Sequence, residues 1–492
     1  MEKTELKAQL KSKMKPVDGF RALVHVSLIA LHCAMLTTGH LPSTGEAWGS
    51  FKKNILYTSF QAGGIQVDLM FMLSGFLLVK KILAQRNAEF SVVSIAVDRA
   101  KRLLPTIIVV CLIAYTIGDT WDVDKDLPGY VPAWTRISTA CSLVLNYFDQ
   151  GKYGSFSLSL MWSCCVDYHS QIIITLIAYL NRWAIGEKKD TEASRTKFAS
   201  FLKYSFIVWL LISFATRAYL FDEVNLNIFK LGQISHFGLL MTSDSFKWIE
   251  QLGHTWLTKQ DPSAQLYSGN YLLQMYCPTH TRYGPFAVGG ILACNLFFAE
   301  SGNRGGNNES ARQSNIYFTF ILKWLFTIWS IVTLIIPCLP ATDDVPVEGQ
   351  FIATAGLRIF ASIAGSFLLY RSLVPEDHDW HWKLLSSILS LSIFKPIAML
   401  SFCSYLVHFR VILELNFRPE LKEKIFDFMS YMPFYQNFSR DSAECWIQYI
   451  PALFVCTFIF SMGVASILHL LVEKPINIFF RASFQKTCSK NA

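Results

Sequence analysis

The stretch DGFRALVHVSLIALHCAMLTTGH, residues 18–40, is apolar enough to form a transmembrane helix, yet it contains Arg21, His25 and His32. A helix of about 20 apolar residues spans the ~30 Å hydrocarbon core of a bilayer. An ionisable side chain at the centre of such a helix costs roughly 2.5–3.5 kcal/mol, and residues kept at that cost usually serve a function. The stretch therefore predicts a membrane protein with a polar site inside its helix bundle.

The whole chain has the composition of a membrane protein. Of its 492 residues, 52% are hydrophobic, 14% are aromatic and 16% are charged, whereas charged residues make up about 25% of a typical soluble domain. The apolar residues form blocks about as long as a membrane span. We therefore predict an all-α polytopic membrane protein with about ten transmembrane helices, near residues 20–38, 60–83, 103–120, 159–181, 202–220, 285–300, 315–338, 352–371, 394–416 and 447–472. Shorter apolar runs at 137–148 and 383–393 are interpreted as interfacial or re-entrant segments.

The basic residues lie mainly at the ends of the apolar blocks, where they determine topology. The positive-inside rule places both termini in the cytoplasm and the long loops near 120–158, 221–284 and 417–446 on the outer or lumenal side. We divide the chain into a cytoplasmic N-terminal tail (1–17), a transmembrane domain (18–476) and a cytoplasmic C-terminal tail (477–492). Because topology accounts for the formal net charge of +8, we expect no nucleic-acid partner.

The ionisable residues of the first span share one helical face. Arg21 and His32 are eleven positions apart, and eleven steps of about 100° return to within about 20° of the starting direction. His25 lies on the same face. Two interpretations remain open, because Arg21 can simply reach the lipid head groups and a neutral histidine can simply bond a neighbouring helix. The alternative is that the face lines a polar site.

Carboxylates occur in two further spans. Asp68 lies in the second span, where a lone carboxylate is unfavourable, so we expect it to face Arg21 or His32 on the first helix. Asp167 lies in the fourth span, with Ser163 and Gln171 about one turn on either side.

Two arginines, Arg99 and Arg102, precede the third span at positions i and i+3. Such a pair at a membrane edge binds lipid phosphates, or equally the phosphates of an acyl carrier such as coenzyme A. The twelve cysteines form no C-x-x-C pair and no zinc or haem spacing, so we expect no metal and no permanently bound cofactor.

Several segments resemble, in chain order, the motifs of the acyltransferase-3 membrane family. The opening Arg and His separated by ten residues, the Val-Asp helix ending in Ser-Gly-Phe, and the R-x-x-R-x-x-P element are all present. The matching segments are DGFRALVHVSLIALH, GGIQVDLMFMLSGFLL, RAKRLLP, MWSCCVDYHSQ, MLSFCSYLVH and LLVEKP. THTRYGPFAVGGIL, residues 279–292, is similar to a stretch of the eukaryotic nose-resistant-to-fluoxetine-like branch.

The resemblance implies a membrane-bound O-acyltransferase that moves an acyl group from cytoplasmic acyl-CoA, a co-substrate, to a hydroxyl of a carbohydrate, lipid or small molecule. His32 is then the expected general base, and Arg21 the residue that binds the donor or stabilises the oxyanion. Asp68 is expected to orient one of these two residues. Arg99 and Arg102 are expected to bind acyl-CoA.

Five further residues are candidates for the site: Asp167, Tyr405, His408, Arg282 and Glu473. His408, with Tyr405 three residues before it, either lines the same cavity or bonds a neighbouring helix. Arg282 either positions substrate on the outer side or caps the helix near Pro285. The alternative function is a proton-coupled transporter of lipids or small molecules, because ionisable residues at mid-membrane also mark carriers.

Glycosylation tests the predicted sidedness. The acceptor sequence NFS at Asn437 lies in a loop predicted to face the lumen, whereas NES at Asn308 lies in a loop predicted to face the cytoplasm. In a secretory-pathway membrane we expect Asn437→Gln to remove the glycosidase-sensitive mobility shift on a gel, and Asn308→Gln to leave it unchanged. A glycan on Asn308 would contradict the predicted topology.

Overall fold

The computed structural model describes residues 14–37, 54, 65–85, 91–116, 133–147, 159–186, 191–229, 278–302, 316–335, 356–374, 380–433, 435–440 and 442–479. Within these ranges all regular secondary structure is helical. We number the α-helices in chain order. The first seven are α1 (Lys15–Thr37), α2 (Gln66–Ala84), α3 (Val92–Thr116), α4 (Ala133–Cys141), α5 (Trp162–Ile185), α6 (Glu192–Phe229) and α7 (Tyr283–Gly302). The others are α8 (Ile316–Ile335), α9 (Leu357–Leu373), α10 (Trp380–Leu389), α11 (Phe394–Phe417), α12 (Pro419–Ser430) and α13 (Ala443–Leu468).

Five of the described helical segments are long and apolar enough to cross a membrane, which makes the chain an integral multi-pass membrane protein. They are Lys15–Thr37, Glu192–Leu220, Tyr283–Ser301, Phe394–Phe417 and Ala443–Phe479. The count of ten spans and the cytoplasmic position of both termini stay predictions. The acceptor Asn308 lies outside the described residues, as do both chain ends.

The short apolar runs form short helices. The run at 137–148 falls on α4 and a 3₁₀ turn at Leu145–Tyr147, and the run at 383–393 falls on α10. Helices of 9 and 10 residues extend only about 13–15 Å, too short to cross a bilayer. The helix that contains the predicted third span begins before residue 103, since α3 starts at Val92 and continues through Pro105. Arg99 and Arg102 therefore belong to the helix itself.

α1 lies at the centre of the bundle. Every residue from 28 to 37 is buried, and the helix packs against α2, α10, α11 and α13. A helix that is apolar and buried all round belongs to the core of a bundle. α6 is different, because its side chains Tyr204, Val208 and Leu211 are exposed. His25 and His32, which are both buried, therefore face other helices and not lipid.

α2 and α7 approach each other closely, through glycines that allow backbone contact. A Cβ on Gly289 would collide with the carbonyl oxygen of Met72, and a Cβ on Gly75 would collide with that of Phe286. Small residues at such positions let helices in a membrane approach closely and gain van der Waals contact. The pair α2–α7 is therefore a fixed frame for the residues that it carries.

We expect Gly289→Val to destabilise the protein, because a backbone atom cannot move aside for the new side chain. Overpacking of this kind costs about 1–3 kcal/mol. Gly463→Ala is the matched control, since a Cβ at this exposed position in α13 would meet nothing within 4 Å. Thermal unfolding of both variants in detergent measures the difference. Equal melting temperatures for Gly289→Val and wild type would contradict the close contact.

Candidate active site

The helices α1 and α11 bring two histidines into direct contact. His32 Nδ1 lies 2.7 Å from His408 Nε2, and the two rings stack with centroids 5.0 Å apart. Both side chains are buried, with relative exposures of 3% and 0%. His408 therefore bonds a neighbouring helix, the second of its two sequence alternatives, and its partner there is the candidate base.

The surroundings of His408 fix where the protons lie. His408 Nδ1 is 2.8 Å from the carbonyl oxygen of Tyr405 and 3.2 Å from that of Ser404. A carbonyl only accepts, so Nδ1 of His408 holds its proton and Nε2 of the neutral ring is an acceptor. His32 Nδ1–H then donates to His408, which leaves the lone pair of His32 on Nε2. This is the atom and the tautomer that a general base requires.

His25 is the third buried histidine of this cluster. Its Nε2 lies 2.9 Å from Ser404 Oγ, and its ring meets the edge of the His408 ring at a centroid distance of 6.3 Å. The shared face predicted for α1 is thus the face that packs against α11.

A cavity of about 320 Å³ lies beside the histidines, enclosed by α1, α2, α3, α5 and α11. Arg21 lines it, while His32 and His408 are not among its lining residues. Tyr405 connects the two features, since its side chain lines the cavity and its carbonyl accepts from His408. The Tyr405 hydroxyl lies 2.7 Å from Ser163 Oγ and donates to the Leu160 carbonyl at 3.0 Å.

Basic side chains dominate the charge of this cavity. It is lined by four basic residues, Arg21, Lys81, Arg99 and Arg102, and by two acidic residues, Asp98 and Asp167. Apolar side chains of α2 form much of the remaining wall. A cationic and partly apolar cavity suits a ligand that joins an anionic group to an alkyl chain.

An ion pair holds Arg99 on the cavity wall. Its Nε donates to Asp167 Oδ2 at 2.9 Å, and its Nη2 contacts the same oxygen. Ser74 donates to the other carboxylate oxygen, and Gln171 Nε2 lies 3.2 Å from both. Asp167 therefore orients Arg99, while Arg102 on the next turn is exposed.

Asp68 does not contact the face of α1 that carries Arg21 and His32, contrary to the sequence prediction. Its Oδ1 accepts from Arg282 Nη1 at 2.7 Å and its Oδ2 from Arg358 Nη1 at 2.8 Å. The physical reason is the packing of the helices, because α2 lies against α7 and α9, which begin next to these arginines. Arg282 is thus an ion-pair partner and not simply a helix cap.

Arg358 was missed by the sequence prediction. Arg358 is the one charged residue within an apolar block at 352–370, and its side chain is buried, at 4% exposure. An ionisable side chain in a membrane span is energetically costly, so the argument that identified Arg21 also applies to Arg358. Arg282, at 0% exposure, also lies over the Trp162 ring at 5.2 Å. The network ties the first turns of α2 and α9 to the start of α7.

Glu473, from the closing Glu-x-Pro motif, contacts Cys403 and His469 and not the histidine pair. Its Oε2 accepts from Cys403 Sγ at 3.3 Å and lies 2.9 Å from His469 Nδ1. It therefore connects α11 to the end of α13.

We expect Asp68→Asn to destabilise the protein by about 3–5 kcal/mol, because it leaves buried arginine charge uncompensated. Glu423→Gln is the matched control. Glu423 forms an ion pair with Arg440, but the two side chains are 48% and 58% exposed, so solvent screens the pair and its loss has little effect on stability. Thermal unfolding in detergent compares the two variants, and an equal small effect would contradict the assigned network.

Comparison with known proteins identifies the family. A family model described as an acyltransferase domain (Acyl_transf_3) matches residues 15–470, nearly the whole chain. No curated protein and no solved structure matches the chain. The matched range includes the histidine pair, the cationic cavity and the Asp68 network. The chain belongs to the acyltransferase-3 family, and the match indicates a membrane-bound acyltransferase.

Proposed function

We propose that the protein transfers an acyl group from acyl-CoA, bound from the cytoplasm, to a hydroxyl of a carbohydrate, lipid or small molecule. The observation that carries the proposal is the pairing of His32 with His408, which leaves the lone pair of His32 on Nε2. The cationic cavity next to this pair is the donor site. The stretch at 279–292 supports membership of the nose-resistant-to-fluoxetine-like branch.

His32 Nε2 takes the proton of the acceptor hydroxyl as the oxygen attacks the thioester carbonyl carbon. The new C–O bond gives a tetrahedral intermediate with a negative oxygen. Arg21 lies eleven residues, about 16 Å along α1, from His32, so it binds the phosphates of the donor and not this oxygen. The intermediate then releases the coenzyme A thiolate as the C–S bond breaks. The imidazolium of His32 returns the proton to the thiolate, so neither a protein nucleophile nor a metal is a reactant in this scheme.

The charges of the cavity suit the donor. Arg21, Lys81, Arg99 and Arg102 surround a space in which the phosphates of coenzyme A gain charge-assisted hydrogen bonds. The volume of about 320 Å³ lies at the lower end of ligand pockets, so the cavity holds the pyrophosphate together with the acyl and pantetheine end of the donor and not the whole molecule. The apolar side chains of α2 contact that end.

Asp68 has no reactive role in this mechanism. Both of its carboxylate oxygens are occupied by Arg282 and Arg358, so it holds the helix frame. The residue that orients the base is His408.

We expect His32→Ala to lower acyl transfer by about 10²–10⁴-fold, the usual contribution of a general base. Purified protein with labelled short-chain acyl-CoA and a panel of hydroxyl acceptors gives the rate. His381→Ala, a half-buried histidine on α10 outside the cavity, is the control. Full turnover by His32→Ala would contradict the assignment of His32 as the general base.

His408 is tested as a positioning residue by two variants. His408→Gln retains an acceptor for His32 Nδ1–H, whereas His408→Leu does not. We expect the glutamine variant to keep more of the rate than the leucine variant at equal expression and thermal stability. Flux of a lipid or small molecule across liposomes without consumption of acyl-CoA would favour the transporter instead.

A further inference from the structure

Three metal-binding side chains converge where α11 meets the end of α13. They are Cys403 on α11 and His469 and Glu473 in the turn that follows α13. Their ligand atoms all lie within 4.8 Å of one another. Cys403 is fully buried, Glu473 is 7% exposed and the His469 side chain is 15% exposed, so most of the cluster is buried.

The backbone at this point departs from a regular α-helix. His469–Glu473 is a π-helical turn between α13 and the helical residues 474–479. Such turns are rare, and they occur frequently at functional sites because the extra residue redirects side chains. Here the turn directs His469 and Glu473 toward the same neighbour, Cys403.

The donor set and its spacing fit zinc. Zinc binds cysteine sulfur at about 2.3 Å and histidine nitrogen or carboxylate oxygen at about 2.0–2.2 Å, in a tetrahedron. Those bond lengths separate neighbouring ligand atoms by about 3.3–3.6 Å. The observed separations are 3.3 Å from Cys403 Sγ to Glu473 Oε2 and 2.9 Å from His469 Nδ1 to Glu473 Oε2. The two separations that involve Glu473 thus lie within about 0.5 Å of those of a zinc site, and all three ligand atoms lie within 4.8 Å of one another.

We propose that Cys403, His469 and Glu473 bind a zinc ion. On binding, the Cys403 thiol loses its proton to solvent, and the neutral His469 ring carries its proton on Nε2. The thiolate and the carboxylate balance the two charges of the ion, so the loaded site is electrically neutral. Three protein ligands leave the fourth position of the tetrahedron for water or a substrate atom.

The site adjoins the proposed donor cavity. Ser401 and Phe402, which directly precede Cys403, line that cavity. A zinc ion here would fix α11 against α13 next to the basic wall. Sequence spacing did not reveal the site because Cys403 and His469 are 66 positions apart and meet only through helix packing.

Metal analysis of the purified full-length protein tests the proposal. Expressed with zinc in the medium and washed in detergent without chelator, the protein should contain about one zinc per chain by elemental mass spectrometry. Cys403→Ser and His469→Ala should lose most of it. Cys456→Ser, which removes a half-buried thiol of α13 outside the cluster, should retain it.

Cobalt(II) gives a second measurement that does not depend on zinc retention. Wild type and Cys456→Ser loaded with cobalt should show a cobalt–thiolate charge-transfer absorption in the near ultraviolet, and Cys403→Ser should not. Wild type without stoichiometric zinc or this absorption would overturn the proposal and leave a metal-free hydrogen-bonded cluster. Unchanged zinc in Cys403→Ser would place the metal elsewhere and equally overturn it.

Discussion

The absence of water inside a bilayer is the constraint on which this structure depends. A polar side chain buried there must find its partner within the protein, because leaving it unpaired costs several kcal/mol. His32 is hydrogen-bonded to His408. Asp68 forms ion pairs with Arg282 and Arg358, and Asp167 forms an ion pair with Arg99. Each pair joins helices that are distant in the chain, so the polar contacts determine which helices are neighbours.

The candidate site has two compartments that meet at Tyr405. The histidine pair is enclosed between α1 and α11, whereas the basic cavity extends toward α2, α3 and α5. Tyr405 has its side chain in the cavity and its carbonyl on His408. A group placed beside Tyr405 is therefore close to both compartments, which is the arrangement that a reaction between a donor and an acceptor needs.

Helical geometry made part of the candidate site predictable from the sequence. The shared face of Arg21 and His32 follows from their spacing within one helix, and the cost of burial identified Asp68 and Asp167 as residues that need partners. The partners themselves depend on which helices touch. His32 and His408 are 376 positions apart, and Asp68 and Arg358 are 290 apart. Spacing rules do not extend across such separations, and for this reason the prediction for Asp68 was wrong.

The hydrogen bond from His408 to the Tyr405 carbonyl limits where a proton can go. The carbonyl oxygen cannot transfer this proton to another group, so a proton that His32 accepts cannot be relayed away through His408. In the proposed reaction the same proton must then leave by the way it came, to a leaving group that is still bound. This arrangement requires both substrates to be present together and gives the kinetics of a ternary complex, in which neither product leaves before both substrates have bound.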